Sequence, residues 1–270
     1  MSAMRKALRL RRLSRPHDDR YLFVPLDHSV SDGPVVPRDR WQDLIHAVVL
    51  GGADAIIVHK GRVRTIEPAV LGGCALIVHL SAGTSHMADA NAKVLVGEVD
   101  EALRLGADAV SVHVNIGSDT ESRQLTDLGT VAAACDSWNV PLVAMAYARG
   151  PRIGDPKDPA LLAHVVNIAA DLGADIVKTT LAHPAEDMAD VVASCPIPVV
   201  VAGGPASAHS IAGHARVAMD AGCAGLAVGR RVFTSPTPMH LVAELASIVH
   251  APTDASLIHA LTATMENRSS

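Results

Sequence analysis

Eight short apolar runs recur along the chain, each bounded by polar or glycine-rich residues and most followed by a stretch with helical periodicity. They cover Tyr21–Leu26, Ala55–Val58, Ala75–Val78, Ala109–Val114, Pro141–Ala146, Ile176–Thr179, Pro198–Val201 and Gly225–Val228. Apolar residues run almost continuously through them instead of alternating with polar ones, the pattern of parallel strands covered on both faces. Amphipathic helices are predicted at Arg40–Leu50, Asn91–Leu105, Leu125–Trp138, Pro159–Leu172, Ala185–Ser194, Ala208–Ala221 and Met239–His250.

A weak internal repeat gives these elements an order. Gly52-Ala53-Asp54-Ala55, Gly106-Ala107-Asp108-Ala109 and Gly173-Ala174-Asp175-Ile176 precede the second, fourth and sixth strands, and Gly222-Cys223-Ala224-Gly225 precedes the eighth. The glycine suits the left-handed turn that ends a helix, and the chain then enters a strand directly. Odd strands are entered differently, through Gly72-Gly73, Asn139-Val140-Pro141 or Pro196-Ile197-Pro198. Four βαβα quarters fit a closed α/β barrel, the (β/α)8 TIM barrel, as a single domain over residues 1–270. Residues 1–20 are an N-terminal extension expected to form a short helix plugging the barrel bottom. An open doubly wound sheet has the same alternation, because periodicity alone does not show closure.

Composition narrows the partners. The length of 270 residues suits one barrel, and 49% hydrophobic with 19% charged residues suits a packed domain. The net charge is −5, and no basic run extends beyond Arg9–Arg12. Only six aromatics are present (Tyr21, Phe23, Trp41, Trp138, Tyr147 and Phe233). Neither a positive field nor a stacking surface for nucleic acid is therefore expected. Cys74, Cys135, Cys195 and Cys223 lie far apart without C-x-x-C spacing, which reads as buried free thiols in a reducing cytoplasm. No apolar run is long enough to span a bilayer, so no membrane partner is expected.

Chemistry in a parallel barrel gathers at the C-terminal ends of the strands. Lys178 ends the sixth run; an amine buried there is costly to keep charged, and a neutral amine is what a Schiff-base nucleophile needs. Its ordinary reading is a lysine reaching to solvent. Lys60, after the second run, competes with it but is followed by Gly61 and reads as a loop residue. Asp27 and His28 follow the first strand and Tyr147 the fifth, each with an ordinary turn or packing role as the alternative. Three such groups at the tops of strands one, five and six favour a shared site. Gly203, Gly204 and Gly229 with Arg230, after strands seven and eight, form the pattern of a phosphate site. His28, His59, His79 and His113 end the first four strands; they keep a metal site open as an alternative, although no H-x-H pair accompanies them and carboxylates are few.

Several segments carry a family resemblance: Pro25-Leu26-Asp27-His28-Ser29-Val30-Ser31-Asp32-Gly33-Pro34, Val58-His59-Lys60-Gly61, Val112-His113-Val114-Asn115-Ile116-Gly117-Ser118, Tyr147-Ala148-Arg149-Gly150, Ala174-Asp175-Ile176-Val177-Lys178-Thr179, Ala202-Gly203-Gly204 and Val228-Gly229-Arg230. From about Leu22 to Phe233 the chain resembles the archaeal-type class I aldolase family, which includes fructose-bisphosphate aldolases and 2-amino-3,7-dideoxy-D-threo-hept-6-ulosonate synthases. The chain departs from the family at Ser29, where glycine is usual, and at Ala148, where many members have proline. The resemblance implies Lys178 as Schiff-base lysine, Tyr147 as general acid/base and Asp27 as supporting acid. Gly203, Gly204, Gly229 and Arg230 would hold the phosphate, with His28 and Arg149 lining the substrate site. It implies no metal and no cofactor, small-molecule phosphorylated ketone and aldehyde substrates, and a homo-oligomer, often a decamer. The most similar-looking branch is actinobacterial and joins dihydroxyacetone phosphate to L-aspartate 4-semialdehyde on the route to 3-amino-4-hydroxybenzoate. Transfer from a deoxy-ketohexose phosphate, fructose-bisphosphate cleavage and a non-catalytic phosphate-binding barrel are the alternatives. Arg149, Arg152 or Lys157 are candidates for the amino acid's carboxylate.

Overall fold

The computed structural model describes residues 2–16, 18–204 and 210–251. All eight apolar runs are strands: β1 Tyr21–Pro25, β2 Ala55–His59, β3 Ala75–His79, β4 Ala109–Ile116, β5 Leu142–Ala148, β6 Ile176–Thr179, β7 Val199–Ala202 and β8 Gly225–Ala227. They close in chain order, β8 pairing with β1, and every pairing is parallel. Closure decides for the barrel over the open sheet.

The continuous apolar runs conceal a period of two. Tyr21, Phe23, Ala55, Ile57, Ala75, Ile77, Val143, Met145, Ile176 and Val200 point inward and form one buried cluster. Their neighbours, such as Leu22, Ile56, Leu76, Ala144 and Val177, pack outward in a second cluster with residues of the surrounding helices. The N-terminal helix Ser2–Leu10 and the following turn Arg11–Leu13 meet the inner cluster, where Leu13 is fully buried with Leu10 against it. The expected plug is present.

The internal repeat has a physical meaning at this base. Gly52, Gly106, Gly173 and Gly222 all adopt positive φ, between +82° and +93°, where a side chain would be strained. The aspartate two residues after Gly52, Gly106 and Gly173 then latches the preceding odd strand at two points. Asp54 N–H donates to Leu22 O while Leu22 N–H donates to Asp54 Oδ2 at 2.7 Å. Asp108 does the same with Leu76, and Asp175 with Leu142. Cations of the N-terminal extension pair with all three carboxylates: Lys6 with Asp175 (2.9 Å), Arg12 with Asp108 (3.3 Å) and Arg15 with Asp54 (3.9 Å). The basic run of the sequence is thus part of the plug.

Three helical expectations change. The segment expected as a helix over Asn91–Leu105 is helical only at Val99–Arg104, and Val94–Leu95 pairs antiparallel with Ser81–Ala82 as a ribbon above β3. Val94 and Val96 favour extended backbone, and Val96 N–H bonds Leu80 O at 2.8 Å. Short helices at Lys60–Val63 and Pro68–Leu71 fill the β2–β3 connection, where none was predicted. The helix expected from Ala208 is described from Ile211 to Asp220, capped by Ser210 Oγ; its predicted start and Pro205, Ala206 and Ser207 lie outside the described residues. Among the described residues no helix is long and apolar enough to cross a membrane.

Candidate active site

Carried to the top of the barrel, the inward parity changes from apolar to polar. Asp27 stands two residues beyond β1, His59 ends β2, His79 ends β3, His113 lies in β4, Tyr147 in β5 and Lys178 in β6. All six line one cavity of about 440 Å³, joined by His28, Lys93, Arg149, Gly203, Gly204, Gly229 and Arg230. Lys178, Tyr147, Asp27, His28, Arg149, Gly203, Gly204, Gly229 and Arg230, all candidates from the sequence, are thus brought together.

Lys178 is held in register between Met145 on β5 and Val200 on β7 and is only 7% exposed. Its amine has no hydrogen bond or ion pair among the described residues. Tyr147 follows Met145 by two positions and so sits one layer higher on the same inner face, 5% exposed. Its ring lies 5.1 Å from the His113 ring, and the Arg149 guanidinium stacks 4.1 Å above it.

Asp27 is the electrostatic centre. Burial opposes its ionisation, but His79, His28, Lys178 and His59 together outweigh burial and hold the carboxyl below its ordinary value. Oδ2 faces His79 Nε2 at 3.8 Å and Oδ1 faces His28 Nδ1 at 3.4 Å. Asp27 Oδ1 and His28 Nδ1 are buried without a hydrogen-bond partner among the described residues. The imidazoles themselves are held neutral. Burial pushes His79 down to about 4 and lowers His28 and His59, while His113 lies well below its ordinary value through burial and the charges of Arg149 and Lys93. Ser111 Oγ holds His79 Nδ1 at 2.8 Å. Asn115 Nδ2 donates to Asn91 O, which orients the amide so that its Oδ1 accepts from His113 Nε2 at 2.9 Å. At neutral pH the site therefore presents one carboxylate among neutral imidazoles, facing an amine and a phenol. Among the described residues no three His, Cys, Asp or Glu side chains converge as a metal-binding group.

Beside Asp27 and His28, the ends of β7 and β8 make a backbone-lined corner. A Cβ on Gly229 would stand 2.5 Å from Pro25 O and 2.6 Å from the His28 ring, so only glycine allows this approach. Gly204 adopts φ +65°. The Gly203 N–H donates to Ala227 O at 3.2 Å, so Gly203 contributes space beside Val228 and not a free donor. Gly204 and Gly229 N–H carry no hydrogen bond among the described residues, and Arg230 opens the four-residue helix that follows β8.

The other candidates are bound elsewhere. Lys60 pairs with Glu101 at 2.9 Å outside the cavity, which removes it as a competitor. Arg152 pairs with Asp119 and donates to Ser118 O, and Lys157 does not line the cavity, so only Arg149 of the three loop cations reaches it. Sequence reasoning missed Lys93, because its segment read as helix. The long connection from His79 to Val99 was the available signal, since loops of that length in a compact domain are usually functional.

The chain matches the DeoC/LacD family aldolase model over residues 21–235. It is 48% identical over 247 residues to the 2-amino-4,5-dihydroxy-6-oxo-7-(phosphonooxy)heptanoate synthase of Streptomyces griseus, covering 91% of this chain and 90% of that protein. It is 41% identical over 250 residues to the 2-amino-3,7-dideoxy-D-threo-hept-6-ulosonate synthase of Halobacterium salinarum, covering 92% and 93%. An archaeal fructose 1,6-bisphosphate aldolase superimposes with a TM-score of 0.83 at 23% identity, covering 92% of this chain and 100% of that one, and shares the fold. The family match runs from the first residue of β1 to just past the helix after β8, and the chain belongs to the DeoC/LacD family of aldolases.

Proposed function

We propose that the chain is a Schiff-base aldolase joining dihydroxyacetone phosphate to L-aspartate 4-semialdehyde, giving 2-amino-4,5-dihydroxy-6-oxo-7-(phosphonooxy)heptanoate. The observation that carries the chemistry is Lys178, an inward, buried amine without an ion pair among the described residues, sharing one cavity with Asp27 and Tyr147. The substrate pair is supported by the 48% identity to the Streptomyces griseus synthase over nearly the whole chain.

In this reading Gly204, Gly229 and Arg230 take the phosphate and present the ketone to Lys178. The amine adds to the carbonyl carbon, and Asp27 serves the proton transfers through which the carbinolamine loses water. The resulting iminium is the electron sink. Loss of a proton from the adjacent carbinol carbon gives an enamine, whose carbon attacks the aldehyde. Tyr147 protonates the new alkoxide, and water then releases the product and regenerates the free lysine. The four cysteines are free, which supports a reducing cytoplasm, and the family resemblance supports a homo-oligomeric ring.

Purified protein offered the two substrates tests this directly, by mass spectrometry of the product. The expected result is one new species at the mass of the combined substrates. Product from a deoxy-ketohexose phosphate donor with the same aldehyde, and none from dihydroxyacetone phosphate, would replace the donor; cleavage of fructose 1,6-bisphosphate alone would keep the donor and replace the acceptor by glyceraldehyde 3-phosphate.

A further inference from the structure

The cavity has a second cationic pole that the donor half-reaction does not use. Arg230 and its glycines stand at β7 and β8, whereas Lys93 and Arg149 stand with the β3 ribbon and β5. Lys93 lies across Gly83, close enough that a Cβ there would be 2.8 Å from its Nζ. The ribbon holding it is pinned from behind, since Asn91 O accepts from both Asn115 Nδ2 (2.8 Å) and Gln124 Nε2 (3.0 Å). In front, Ser85 N–H bonds Ser31 O, joining the ribbon loop to the loop after β1. Neither Lys93 nor Arg149 has an ion pair among the described residues. Burial and the Arg149 charge hold Lys93 below its ordinary lysine range against Asp32, Asp89 and Asp27, so an arriving anion would relieve two like charges.

Two carboxylates decide which anion. Asp89 is already engaged, accepting from Asn91 N–H at 2.8 Å and Ser118 Oγ at 3.3 Å. Asp32 lines the cavity with no hydrogen bond or ion pair on its side chain among the described residues. Asp32 beside the two cations gives this rim both signs of charge, which suits a zwitterion better than a phosphate dianion.

We propose that Lys93, Arg149 and Asp32 form the acceptor subsite, binding the carboxylate and ammonium of an α-amino acid aldehyde and setting the preference for it. This deepens the aldolase reading above and rests on it. Lys93 and Arg149 take the carboxylate beside the phenol of Tyr147, and Asp32 takes the ammonium.

The test compares kcat/KM for L-aspartate 4-semialdehyde, propanal and glyceraldehyde 3-phosphate in wild type, Lys93→Met, Lys93→Arg and Asp32→Asn. Binding of L-homoserine, which has the same head without the aldehyde, is measured by calorimetry in the same proteins. Lys93→Met should lower the semialdehyde-over-propanal preference about 10- to 100-fold, through KM, and weaken L-homoserine by a similar factor. Lys93→Arg should recover most of the preference, and Asp32→Asn should shift it toward glyceraldehyde 3-phosphate. Preferences and L-homoserine affinity within twofold of wild type in both Lys93→Met and Asp32→Asn would overturn the assignment. L-homoserine binding needs no chemistry, so it reads the subsite even if borohydride trapping with dihydroxyacetone phosphate fails and the donor reading falls.

Discussion

Asp54, buried at the base of the barrel, and Asp27, half-buried at its top, both stand beside histidine, yet their surroundings differ in kind. Asp54 accepts from Leu22 N–H, meets His250 Nε2 at 3.0 Å and faces Arg15, while His250 Nδ1 reaches Asp18. Asp27 has two histidines at 3.4 and 3.8 Å, and its Oδ1 has no hydrogen-bond partner among the described residues. A satisfied buried network fixes one geometry, whereas an unsatisfied one remains costly until a ligand completes it. The base therefore spends its charges on stability, and the top leaves Lys178 Nζ, Asp27 Oδ1 and His28 Nδ1 without hydrogen bonds among the described residues, at the proposed substrate site.

The comparison breaks most visibly at Lys178. Lys178→Ala should lower kcat by about 10⁴-fold or more, while its thermal midpoint stays at or above wild type because a buried, unpartnered amine is removed. Tyr147→Phe should cost about 10²- to 10⁴-fold in carbon–carbon bond formation but still give a borohydride-trapped adduct with the donor. The reverse pattern is expected below: Asp54→Ala should lose about 3–5 kcal/mol and roughly 6–20 °C in thermal midpoint, with kcat per folded molecule within twofold.

His250 adds a pH dependence to the base. Burial opposes its charge, but the hydrogen bond and charge of Asp54, with Asp18, outweigh burial and raise its pKa. Its contribution is fully present below the unfolded value of about 6.5 and is lost as pH rises through the higher folded value. The difference in thermal midpoint between wild type and His250→Gln should therefore be larger at pH 6 than at pH 9. The top should show the smallest effect. His28, His59, His79 and His113 are all lowered, so kcat/KM should show no histidine inflection above the ordinary imidazole value of about 6.5, and Asp27 should place the acid limb below the ordinary carboxylate range.

What the sequence made legible follows the same division. The eight strands were readable because a barrel strand is apolar on both faces, and Lys178, Tyr147 and Asp27 because each breaks or follows such a run. The Gly-Ala-Asp repeat was visible, but the aspartates' partners were not, since each carboxylate takes its N–H from a strand 32 or 33 residues upstream. The N-terminal cations are likewise explained only by the plug they anchor. Lys93 was hidden because a valine-rich segment with plausible helical spacing is held extended by Ser81–Ala82, a pairing that no local pattern encodes.

The central claim is that the unmatched amine of Lys178 is the nucleophile. Borohydride reduction in the presence of dihydroxyacetone phosphate, followed by peptide mass spectrometry, tests it most directly. The account predicts a single reduced adduct on the peptide carrying Lys178, absent from Lys178→Ala. An adduct on another lysine, or full activity in Lys178→Ala, would contradict it.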